Sequence, residues 1–319
     1  MRNYDLIIIG AGISGMSCAI SATNKGIKNI LLIDSEEYIG GIMNTLIHNG
    51  FGEKILGKSV TGPEYVDYLE DSIDKNSVKI LLKTMVLNVD KEKNVTYVNE
   101  HDGVQTVKAT AVVFATGAKE RYFGEIMLIT KKLVGIQTLG EVHKMINLEG
   151  YLPGRNNVIF VKNKWGFIVA RRILIEGGHI EGIIIEESFD KIRNQEIDDI
   201  IDGFDMPIYD NCKIIKIEGK DRIQSLKIKK LNDNTEKEIK CDELILSVNF
   251  ESNNILAKRN KIKLPTNNDV IKSNKYSTSE EGFFACGNVI YGEELFNIKN
   301  INGIECGVQA ANYIKSMYI

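Results

Sequence analysis

Three glycines mark where chemistry can begin: Gly10-Ala11-Gly12-Ile13-Ser14-Gly15 spells G-x-G-x-x-G. Glycines at this spacing let peptide amides approach an anion that side chains would hold away. Gly10 permits a tight turn, Gly12 admits a pyrophosphate to the backbone, and Gly15 lets a helix lie close on a strand. The amides of Ile13 and Ser14, at a helix N-terminus, face the phosphate charge. About 20 residues further on, where the fingerprint expects an acid, Asp34 offers a carboxylate to ribose hydroxyls. The chemistry expected of this set is the grip of a dinucleotide.

The elements that must position these residues are legible around them. Asp5 to Ile9 is a short apolar run, the pattern of a strand buried on both faces. A helical pattern runs from Ser14 to about Asn24, with Met16, Ala19 and Ile20 able to face a sheet, and Gly26 stops it. Ile30 to Ile33 form a second strand that ends in Asp34. Strand, glycines, helix, strand and acid in this order are far more specific than the glycines alone.

Length and composition bound the rest. A chain of 319 residues suggests about two domains. Its net charge of −3 comes with scattered Lys and Arg, which argues against a nucleic-acid partner. Lys227 to Lys230 lie in a strand-like stretch and read as solvated surface. The five cysteines, Cys18, Cys212, Cys241, Cys286 and Cys306, are odd in number and include no C-x-x-C. A disulfide framework, a zinc knuckle and a redox dithiol are therefore unsupported, and no metal is expected. Such cysteine usage suits a reducing compartment. No apolar run approaches the ~20 residues of a membrane span. The chain enters its first strand at Tyr4 rather than through a basic leader. The expectation is a cytoplasmic protein.

Three later segments extend the pattern. Gly40-Gly41 leads into Ile42 to Gly62, a long stretch without regular periodicity, of the kind that is usually functional. Ala111 to Phe114 is an apolar strand running into Ala115-Thr116-Gly117. Glu281 to Asn288 repeats that form near the C-terminus, and Ile304 to Met317 is helical. With the glycine motif, these segments resemble the two-domain flavoprotein reductases of the thioredoxin reductase class, within the pyridine nucleotide-disulphide oxidoreductase-like family. Over nearly the whole chain there is a closer resemblance to a bacterial family of FAD-dependent oxidoreductases. It includes the FAD-binding subunits of hydrogen cyanide synthase and opine oxidase, and flavoproteins associated with glycerol-3-phosphate dehydrogenase. The residues that carry it are Gly40 to Asn44, Ile47 to Gly52, Thr61 to Tyr65, Glu149 to Gly154 and Ala285 to Val289.

The resemblance implies FAD as cofactor, with electron transfer as the activity and a homodimer as one assembly. It implies an α/β fold of two Rossmann-like, three-layer ββα-type dinucleotide-binding domains, the second inserted in the first. The FAD domain takes residues 1–121 and 243–319, and the NAD(P)-binding-like domain residues 122–242. Cys241 to Val248 is expected to be the strand that returns the chain to the FAD domain. Implied cofactor contacts are Gly10, Gly12, Ile13, Ser14, Gly15, Asp34, Gly41, Val86, Ala115, Thr116, Gly117, Arg121, Gly287 and Asn288. Thr84-Met85-Val86 resembles the strand whose backbone meets the adenine. Asn288 stands where relatives carry an acid or amide against the flavin.

The second nucleotide motif has eroded. Val158 to Lys162 read as a strand, Phe167 to Glu176 as a helix, and Ile180 to Ile185 as the next strand. Relatives would place G-x-G-x-x-G at 161–166, where this chain has Val161-Lys162-Asn163-Lys164-Trp165-Gly166. Val161 resists positive φ, Asn163 puts a side chain where a phosphate would meet backbone, and Trp165 adds bulk. Only Gly166 remains to pack helix on strand. NAD(P)H is therefore not expected to bind there in the usual way.

A flavin carries its own redox chemistry, so no catalytic triad is required. His48, in the segment the family places near the flavin ring, is the candidate acid or base, against a plain loop histidine. Leu46 stands where relatives often have Cys. Cys286 reads as a small buried hydrophobe. After Gly117, Lys119, Glu120 and Arg121 mark the crossing between domains, and Arg121 offers a grip on a phosphate or carboxylate against a hinge ion pair. His101 reads as exposed, and neither it nor His143 or His179 has metal-ligand spacing. Glu293 to Gly303 departs from relatives, which carry His and Asp there. Three readings stay open. One is an FAD oxidoreductase working with a redox partner protein, a second subunit or a small polar substrate. The others are an NAD(P)H-dependent reductase with an atypical pocket and a non-catalytic flavin-binding subunit.

Overall fold

The structure, a computed structural model, describes residues 2–121, 133–265, 275–291 and 303–318. The chain divides into two compact units, Met1–Lys119 with Phe250–Ile319, and Glu120–Asn249.

In the first unit, strands Val78–Leu81, Ile30–Ile33, Asn3–Ile9 and the second half of Gly103–Phe114 lie side by side and parallel. Phe283–Ala285 adds a further parallel strand beside Val112–Phe114. Leu6 to Ile9, Ile30 to Ile33 and Ala111 to Phe114 read as unbroken apolar runs because the sheet is buried on both faces there; Leu6, Ile7 and Ile8 have no exposed surface. The first half of Gly103–Phe114 turns antiparallel with Asn94–Asn99, which pairs Met85–Val89.

Helices Ile13–Asn24 and Gly303–Ser316 pack on one another and on this sheet. The later helix buries Gly303, Cys306, Gly307, Ala310, Ala311 and Ile314, one stripe at helical spacing. Glycine is required in that stripe. A Cβ on Gly303 would lie 2.1 Å from Ser14 O, and one on Gly307 2.3 Å from Cys18 O. The two helices therefore meet backbone to backbone.

The second unit holds five parallel strands in the order Ile136–Thr138, Glu243–Leu246, Asn156–Phe160, His179–Ile184, Ile208–Tyr209. An antiparallel sheet, Cys212–Gly219, Ile223–Lys230 and Glu236–Lys240, packs against it. Val158, Phe160, Leu226, Ile228, Leu244 and Leu246 fill the core between them. The strand expected to return the chain to the first unit instead lies inside this sheet, between Ile136–Thr138 and Asn156–Phe160. Its apolar residues signal burial, and burial alone does not say in which sheet.

At the start of that strand Glu243 is fully buried. Arg222 Nη2 donates to its Oε2 at 2.6 Å. Burial nonetheless wins over the guanidinium and pushes the carboxyl up to about 8. Among the described residues no helix is long and apolar enough to cross a membrane.

Candidate functional site

The parallel strands of the first unit end together, and the residue after each strand bonds to its neighbour. Gly10 N donates to Ile33 O at 2.7 Å, Asp34 N to Leu81 O at 2.9 Å, Ala115 N to Ile9 O at 2.8 Å, and Cys286 N to Phe114 O at 3.0 Å. The glycine motif, the acid, the Ala115-Thr116-Gly117 turn and the late turn thus share one edge. That carboxyl edge is where open α/β sheets hold ligands.

The glycines at this edge do different work. Gly10 has φ +107°, and a Cβ there would sit 2.3 Å from Ala115 O. A Cβ on Gly15 would sit 1.9 Å from Gly10 O. Both are closed by backbone, so both serve the fold. Gly12 is the reverse case: its Cβ would meet no heavy atom within 4 Å. Gly12 is also the N-cap of Ile13–Asn24, and no side chain caps that helix. The result is a bare helix start under open space, the form of a phosphate cradle.

Other segments frame this cradle. Asp34 Oδ2 accepts from Ala11 N at 2.6 Å and its Oδ1 from Glu36 N at 2.9 Å, which leaves each oxygen a second lone pair for a hydroxyl. Gly40 N donates to Ala11 O at 2.8 Å, and a Cβ on Gly41 would come within 3.5 Å of Gly12 Cα. Gly287, at φ +75°, seats the late turn on the same helix, since its Cβ would meet Ser14 Oγ at 2.4 Å. Asn288 follows it at the start of a short helix. Thr116 Oγ1 donates to Asn253 O at 2.6 Å, and Asn253 N to Gly117 O at 3.0 Å.

Beside Asp34, Thr84 N donates to Asp34 O at 2.9 Å, which brings the Val86 strand alongside. An open cleft of about 350 Å³ is lined there by Glu37, Tyr38, Leu82, Lys83, Asn99, Glu100 and His101. Tyr38, Lys83 and Asn253 were not anticipated; the first two follow a strand end but match no motif, and Asn253 lies 137 residues from its partner.

His48 is half-buried, with Nδ1 2.8 Å from Asn49 O and its ring centroid 5.1 Å from that of Phe51. A proton on Nδ1 makes Nε2 the basic nitrogen. Lys119 pairs with Glu251 at 3.1 Å. Glu120 takes hydrogen bonds from Thr138 Oγ1 and Gly140 N, and burial raises its carboxyl. Arg121 belongs to the second unit, is exposed, and donates its N–H to Asn249 O at 2.7 Å. Cys286 is fully buried and His101 exposed. The expectation for Glu293 to Asn302 lies outside the described residues.

In the second unit the corresponding turn is closed. Asn163 caps helix Lys164–Ile175, its Oδ1 accepting from Trp165 N at 3.1 Å. Val161 fills the space at the foot of that helix, where a Cβ on Gly166 would lie 2.4 Å from Val161 Cγ2. Lys164 Nζ is engaged by Glu196 at 2.6 Å.

Residues 4–147 match the family model described as pyridine nucleotide-disulphide oxidoreductase. Over those residues the chain is similar to this family of FAD-dependent flavoproteins. It is similar to the ferredoxin–NADP reductase of Picrophilus torridus, 26% identical over 326 residues, covering 99% of this chain and 94% of that one. It is also similar to the thioredoxin reductase of Mycoplasma genitalium, 24% identical over 89% of this chain and 86% of that one. Among solved structures, T. acidophilum thioredoxin reductase shares the two-domain dinucleotide-binding fold, with a TM-score of 0.74 at 20% identity over 100% of this chain and 99% of that one. The protein is an FAD-dependent oxidoreductase. The first-unit site fits that cofactor: the uncapped helix start suits its pyrophosphate and Asp34 its ribose. Bound FAD supplies the means to accept and release electrons.

Proposed function

We propose that this flavoprotein passes electrons between FAD and a redox carrier protein or small polar substrate, without taking hydride from NADH or NADPH in the family's usual way. The observation that carries the reading is the closed turn at 161–166. Asn163 already occupies the helix start that a nicotinamide dinucleotide's phosphate would use, and Val161 stands where a glycine would turn the chain. No C-x-x-C is present among the five cysteines, so the chain has no dithiol of that spacing through which to hand electrons to thioredoxin. In this reading Gly10 to Gly15 and Asp34 hold the cofactor. The turns at Ala115–Gly117 and Gly287–Asn288 frame it, and Val86 lies beside the adenine. Nε2 of His48 is the candidate proton carrier. A homodimer is the proposed assembly.

The name of the Picrophilus relative favours a second reading, an NADP-linked reductase with an altered pocket. Anaerobic stopped-flow absorbance separates the two. Under the first reading the visible flavin band bleaches with reduced ferredoxin, or with an amine or amino-acid donor, and responds slowly or not at all to NADH and NADPH. Rapid bleaching by either nucleotide, with tight binding, would establish the second.

A further inference from the structure

Cys18, Cys286 and Cys306 come from three separate segments of the first unit and meet at one point. Their sulfurs all lie within 4.8 Å of one another, and all three residues have no exposed surface. Cys18 sits on the helix whose bare start forms the phosphate cradle, Cys286 immediately precedes Gly287, and Cys306 lies on the helix Gly303–Ser316. Cys286 Sγ is 3.9 Å from Ser14 O, at the head of the cradle helix. All are free thiols. The remaining cysteines, Cys212 and Cys241, belong to the core of the second unit.

We infer that these three thiols form a binding site for a soft, thiophilic ion that takes three sulfur ligands, with trivalent arsenic as its simplest occupant. Geometry sets the coordination number. Bonds to sulfur of roughly 2.3 Å, at the near-100° angles of pyramidal trivalent arsenic, would put the three sulfurs about 3.5 Å apart, so the triangle observed, within 4.8 Å, draws in on loading. Among the described residues, no histidine, further cysteine or carboxylate completes the group. A structural zinc site wants four such ligands, whereas soft thiolate sets select soft ions.

Charge narrows the class further. A net charge in a fully buried site is costly. Arsenous acid avoids that cost. Its three As–O bonds and the three S–H bonds break, three As–S bonds form, and three waters leave. Arsenic remains trivalent, nothing is oxidised or reduced, and the product is neutral. Because no thiol reaches the surface, entry requires local opening of the late helix, so loading is slow. Once bound, the ion ties the cradle helix, the late turn and the late helix to one another, and the occupied fold is stabilised by linkage.

The test uses the whole reduced protein with its flavin, incubated with arsenous acid and freed of excess. One arsenic per chain is expected, with three sulfur neighbours by X-ray absorption and a raised melting temperature. Cys18→Ala and Cys306→Ala should keep flavin and lose the arsenic; Cys212→Ala should keep both. Should the cluster variants fail to fold, the sulfur count on the unaltered protein still decides, because Cys212 and Cys241 together supply only two sulfurs. No bound arsenic, two sulfur neighbours, or undiminished binding in Cys18→Ala would each overturn the inference.

Discussion

At Gly12 a methyl group would project into open space, while at Gly15 it would strike Gly10 O at 1.9 Å. Two glycines of one motif therefore answer to different demands, and substitution should separate them. Gly12→Ala is expected to leave the urea midpoint of the apoprotein unchanged and to weaken FAD binding by at least ~10-fold, about 1.4 kcal/mol. Gly15→Ala is expected to destabilise the apoprotein itself by ~1–3 kcal/mol, the usual cost of overpacking. Flavin fluorescence titration reads the first effect and urea unfolding the second. An unaltered FAD affinity in Gly12→Ala would show that the open space is not where the cofactor lies.

Among elements, the two glycine-turn positions of the chain have parted. One helix begins uncapped at Gly12, and the other is capped by Asn163. Replacing Asn163 with Ala should cost ~1 kcal/mol of stability, the typical value of an N-cap, with flavin content untouched. Unfolding of this variant in urea, compared with the parent, checks it; equal midpoints would mean the cap contributes nothing. The first turn was legible because all its signals lie within one βαβ unit: the apolar run, the spaced glycines, and Asp34 at the next strand end. The loss at 161–166 was legible for the same reason, since β-branching and side-chain bulk act locally. What escaped the sequence was long-range. Glu243 to Leu246 declared itself buried but not which sheet it joins. Asn253 meets Thr116 across 137 residues, with no motif at either end. The three clustered cysteines have no telling spacing, because three different segments deliver them.

Over the whole molecule, the buried Glu243 ties folding to pH. Its ordinary value is 4.5, and burial raises it to about 8 in the fold. The folded state therefore holds the proton more tightly than the unfolded chain does. This contribution is complete below about pH 4.5 and is lost as pH rises toward 8. Melting temperature should fall across that window in the parent and fall less in Glu243→Gln, which keeps a hydrogen-bonding group toward Arg222; parallel profiles would refute the assignment. A separate consequence follows from Cys286 lying against Ser14 across 272 residues and from the late helix resting on the first. During synthesis the nascent chain displays its glycine motif long before the partners that press against it emerge, some 272 residues later. Nascent chains stalled before that point should be colourless, and the timing of flavin capture should be set by how quickly distant stretches of polypeptide find each other.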